Sequence, residues 1–96
     1  MLTIPVLPKS TAQAADCQAL ALAALGWVLS DDSRAQRLLA LTGLTPNALR
    51  SGLDDPAVLV AVLEFLASFE QDLLAAAIAL EVEPAALVFA ARELTP

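Results

Sequence analysis

Two stretches decide the fold: residues 16–49, DCQALALAALGWVLSDDSRAQRLLALTGLTPNAL, and residues 54–87, DDPAVLVAVLEFLASFEQDLLAAAIALEVEPAAL. They align without a gap at an offset of 38 positions. Asp16 meets Asp54, Leu25 meets Leu63, Trp27 meets Phe65, Ser30 meets Ser68, Pro46 meets Pro84 and Leu49 meets Leu87. An Ala- and Leu-rich chain matches itself at Ala and Leu by chance, so the rarer pairs carry the argument: aromatic on aromatic, Ser on Ser, Pro on Pro. A period of this size marks a repeated supersecondary unit. The expectation is an all-α, compact bundle of five or six helices built from two pseudo-repeated three-helix units. The units run over about 11–52 and 53–96, in a single helical domain spanning 11–96.

Composition agrees with that class. The chain has 96 residues, the size of one domain, and 58% of them are hydrophobic, mostly Ala and Leu. These are the strongest helix formers, while strand formers are scarce, with no Tyr and three Phe. Five basic residues stand against eleven acidic ones, for a net charge of −6. That balance opposes binding to nucleic acid, which needs clustered positive charge, and to an anionic membrane surface. The single cysteine, Cys17, excludes an internal disulfide, lacks metal-site spacing and reads as a small buried hydrophobe. No apolar stretch is long enough to span a bilayer, and MLTIPVLPKS lacks the basic start of a signal peptide. A cytoplasmic protein is expected.

Residues 1–10 read as an extended arm, because Pro5 and Pro8 forbid a regular helix. Leu2, Ile4 and Val6 alternate along it and share one face, a candidate self-association surface. The first helix is expected from about Thr11, a plausible N-cap, to Leu29. It is apolar on nearly every side from Ala19 onward, which predicts burial all round. Gly26 then predicts a close approach by another helix. Asp31 and Asp32 cap a second helix, about Ser33–Thr42, with Ala35, Leu38 and Leu39 inward; Gly43 stops it. Thr45-Pro46 opens a short third helix that ends near Gly52. The second unit repeats the scheme, with helices at Pro56–Ala67, about Phe69–Leu80 and Pro84–Leu94. Ser68 with Gln71 predicts a capping box. Leu73, Leu74, Ala77 and Ile78 are the expected core of the fifth helix, and Leu87, Val88, Ala91 and Leu94 of the sixth.

The segments GWVLSDDSRAQRLLALTGLTPNALR and DPAVLVAVLEFLASFEQDLLAAAIAL resemble a family of short alphaproteobacterial proteins known as domain of unknown function 3572. The resemblance covers residues 13–94, with Leu38–Pro46 followed by Leu49-Arg50 as its most specific part. It implies a small cytoplasmic bacterial helical protein and carries no activity or site residues.

Chemistry is thin. There is no histidine, hence no usual general base near neutral pH and no commonest transition-metal ligand. The acidic pairs Asp31-Asp32 and Asp54-Asp55 stand just before predicted helix starts and read as caps. No catalytic, metal or cofactor-binding set emerges, so neither enzymatic activity nor a cofactor is expected. Arg34, Arg37 and Arg50 lie in the first unit, where the second has Asp72, Ala75 and Val88. They form a candidate docking patch for an acidic or phosphorylated partner, with Phe89 as a candidate apolar contact widened by Ala90 and Leu94. By elimination, the expected function is a non-catalytic protein–protein interaction or regulatory module with an unidentified protein partner. The surplus of apolar residues also predicts a homodimer. The alternative is a helical binder of a small apolar ligand held between the two units.

Overall fold

The computed structural model describes residues 9–95, with side chains from Asp16 onward; Leu2, Ile4 and Val6 lie outside the described residues. Six helices follow one another: α1 Lys9–Leu29, α2 Asp32–Thr42, α3 Pro46–Ser51, α4 Pro56–Ala67, α5 Glu70–Leu80 and α6 Pro84–Leu94. The first helix therefore starts earlier than expected, and Thr11 lies inside it rather than at its cap.

Helix boundaries recur at the sequence offset. The ends of α1 and α4, the whole of α2 and α5, and the starts of α3 and α6 are each 38 positions apart. Left-handed backbone recurs too, at Gly43 (φ 75°) after α2 and at Glu81 (φ 57°) after α5.

The core forms where α1 and α4 meet. Ala21, Ala24 and Val28 of α1, and Leu59, Val62, Leu63 and Leu66 of α4, are fully buried. Helices α2 and α5 each pack on both central helices, inserting Leu38 and Ala76. Helix α6 packs along both α1 and α4 through Leu87 and Ala90, whereas α3 packs weakly and buries only Leu49. The third helices therefore differ in packing although they start at matching positions.

Proline and acid chemistry set the starts. Asp31 Oδ2 accepts from Arg34 N at 2.9 Å, Thr45 Oγ1 from Ala48 N at 3.0 Å, and Asp55 Oδ1 from Ala57 N at 3.0 Å. These caps satisfy amides that the first turn leaves without partners.

Four expectations need correction. Helix α1 is not buried all round: Ala19, Leu22, Ala23, Gly26 and Leu29 form an exposed stripe. Gly26 meets no close neighbour, since a Cβ built there finds nothing within 4 Å. The close approach occurs instead at Gly52, where a Cβ would sit 2.6 Å from Val58 Cγ2. In α5, Leu74 and Ile78 face outward (44% and 78% exposed), while Ala76 and Ala77 face in. Small residues let α5 lie close to its neighbours, and a helix apolar on every side gives periodicity nothing to choose between. Finally, Ser68 makes no capping box. It stays helical, and its Oγ donates to Glu64 O at 2.8 Å, leaving Phe69 as an N-cap without a side-chain acceptor.

Candidate functional site

The three arginines do not form one open patch. Arg34, half-buried, lays its guanidinium carbon 3.7 Å from the centre of the Trp27 ring. Its Nη2 donates to Trp27 O at 2.8 Å and Ser30 Oγ at 3.1 Å, while its Nε is buried without an acceptor. This cation closes the C-terminal end of α1, where helix carbonyls concentrate negative potential. Arg37 turns elsewhere. Its Nη2 lies 2.9 Å from Asp72 Oδ2, tying α2 to α5, and its guanidinium carbon sits 5.5 Å from the Phe69 ring centre. Arg50 is exposed on α3 and donates to Asn47 Oδ1 at 3.3 Å. All three thus make contacts within the chain.

Phe89 is 45% exposed, as its place off the inner line of α6 implies. It borders a hollow of about 270 Å³ between α1 and α6, with Asp16, Cys17, Leu20 and Ala86. Ala90 does not widen that patch, because it is fully buried on the opposite side. Cys17 is buried at the hollow's edge, and burial pushes its thiol pKa up, helped by the negative charges of Glu93 and Asp16. The thiol form is therefore held against the reactive thiolate.

A larger concavity lies elsewhere. A groove of about 420 Å³ runs between the end of α2 and the outer face of α4, closed at one end by the start of α5. Leu41 and Thr42 form one wall; Ala61, Glu64, Phe65, Ser68 and Phe69 form the other. Local chemistry builds both walls. Gly43 turns the chain left-handed and donates to Leu39 O, ending α2 at the rim. Thr42 Oγ1 donates to Leu38 O at 2.6 Å and accepts from Leu44 N at 3.2 Å, which fixes the last turn. Across the groove, Phe65 and Phe69 meet with ring centres 5.6 Å apart, tilted by 57°. Leu41 is 61% exposed and Phe69 is 36% exposed, so two large apolar side chains face solvent across one concavity. Glu64 is the only charged residue of α4 and is exposed in the wall.

Among the described residues, no group of three or more Cys, Asp or Glu is placed to hold a metal ion. No single described helix is long and apolar enough to cross a membrane.

A family model described as protein of unknown function (DUF3572) matches residues 14–96. The chain belongs to that family. No curated protein matches this DUF3572 member, and no solved structure does.

Proposed function

We propose that this DUF3572 protein is a non-catalytic protein–protein interaction module, made of two diverged three-helix units, whose docking surface is the groove between α2 and α4. The observation that carries this reading is the pairing of exposed Leu41 with exposed Phe69 across one concavity. Large apolar side chains facing each other over a cleft are costly to leave in water and are the usual anchors of a docked segment. The recurrence of helix boundaries at an offset of 38 supports the two-unit reading, with α6 recruited to the core and α3 left at the margin.

Site-specific photocrosslinking tests the docking surface. A benzoylphenylalanine at Leu41 should give a discrete adduct in the native cell, and one at exposed Leu53, on the turn before α4, should not. Equal labelling from both positions, or none from Leu41, overturns the proposal.

One observation favours a second reading. The groove lies between the two units, and about 420 Å³ is within the range of small-molecule sites. A small apolar ligand retained in native mass spectrometry, and lost on Ala61→Trp, would favour it.

A further inference from the structure

We infer that the occupant of the α2–α4 groove is a protein segment that pairs an apolar anchor with a basic side chain, and that Glu64 recognises the base; this rests on the docking reading above.

Glu64 stands in the last turn of α4, where the helix dipole disfavours an acid, and that turn holds no basic residue. Among the described residues it has no cationic partner: the ion pair there is Arg37–Asp72. The other guanidinium of α2, that of Arg34, is held by Trp27 and Ser30. An exposed carboxylate in a largely apolar wall, set against its own helix, selects a cation there and repels acidic segments.

The other half of the molecule sharpens the point. Position 26, which corresponds to 64, is glycine, and position 31, which corresponds to 69, is the capping residue Asp31. In the second half the cap is given up for Phe69, whose ring lines the groove instead. Two local rules of helix chemistry are therefore broken, and both breaks fall on this one groove. Departures from local consistency concentrate at functional sites. The first half also shows how such a frame meets a cation, with Arg34 stacked on Trp27 at 3.7 Å.

The test is selection from a phage-displayed random dodecapeptide library on immobilised protein. Wild type should enrich peptides carrying Leu, Ile or Phe within four residues of Lys or Arg. Glu64→Lys should reduce retention of those clones at least tenfold and enrich acidic peptides in their place. Glu64→Gln, isosteric and uncharged, should give an intermediate loss. Wild-type peptides without basic bias, or unaffected by Glu64→Lys but lost on Ala61→Trp or Leu41→Ser, overturn the role of Glu64 and leave the groove reading standing. No enrichment above bare support, or enrichment indifferent to both groove substitutions, overturns the groove reading itself.

Discussion

The C-terminal ends of α1 and α4 are the same frame finished in two ways. Each presents an aromatic residue, Trp27 or Phe65, followed three positions later by a serine whose hydroxyl donates back to its own helix. At α1, Arg34 folds over the aromatic ring and donates to the helix end, so the site is closed by the chain itself. At α4, the residue matching Arg34 is Asp72, which draws Arg37 away to the α2–α5 seam. An acid stands where the first half has glycine, and the surface beside it is a groove. Matching helix ends are thus finished differently: Arg34 closes the end of α1, whereas the end of α4 borders an open groove.

The largest test of this comparison lies in the core. Leu25 and Leu63 occupy matching positions and are both buried. Leu25→Ala and Leu63→Ala should each cost about 2–5 kcal/mol in denaturant unfolding, as cavity-forming substitutions do. A cost at one site and none at the other would break the equivalence of the central helices.

Next come the left-handed turns. Gly43 adopts φ 75° without a side chain to object, whereas Glu81 holds φ 57° with one. Gly43→Ala should lose about 1 kcal/mol and Glu81→Gly should gain roughly the same, measured as opposite shifts in Tm.

Smaller effects separate stability from binding. Gly26→Ala should stabilise by about 0.5–1 kcal/mol, because the site is exposed, helical and uncrowded. Glu64→Lys should stabilise by roughly 0.3–1 kcal/mol, since a cation suits the helix end that an acid does not. It should do so while abolishing selection for basic peptides. A destabilised Glu64→Lys would mean that Glu64 serves the fold.

The smallest effect is a pH dependence. The Cys17 thiol is raised above its ordinary 9.0 by burial first, then by Glu93 and Asp16. The folded state therefore holds the proton more tightly than the unfolded one. Its contribution is full below the unfolded pKa and is lost as pH rises through the folded one. Wild type should lose stability in that alkaline window relative to Cys17→Ala, and parallel pH profiles would remove this role.

Much of the fold was legible from sequence because its signals are local. Prolines at the first turns of α3, α4 and α6, with Thr45 and Asp55 before two of them, mark helix starts that the structure keeps. Gly43 marks the stop of α2 in the same way. Facing was harder to read. Of the residues expected inward in α5, Ala77 is buried and Leu73 packs on the core, but Leu74 and Ile78 face out and Ala76 takes their place, because how closely helices approach is settled between elements. The groove was missed for the same reason. Leu41 is distant in sequence from Glu64 and Phe69 and meets them only when α2 crosses α4. Two signals were nevertheless present: Glu64 as the lone charge of an apolar helix, and Phe69 aligned with a capping aspartate.

A matched pair of small probes separates recognition by charge from apolar contact at the groove. Hexylguanidinium and hexanoate share an apolar chain and differ in the sign of the head. Each would be titrated into ¹⁵N-labelled protein while amide shifts are followed by NMR. If Glu64 selects a base, hexylguanidinium gives saturable shifts at Ala61, Glu64, Ser68 and Leu41, strongly reduced in Glu64→Gln, and hexanoate gives none there. Equal shifts with both probes, or shifts confined to the hollow beside Phe89, would contradict it.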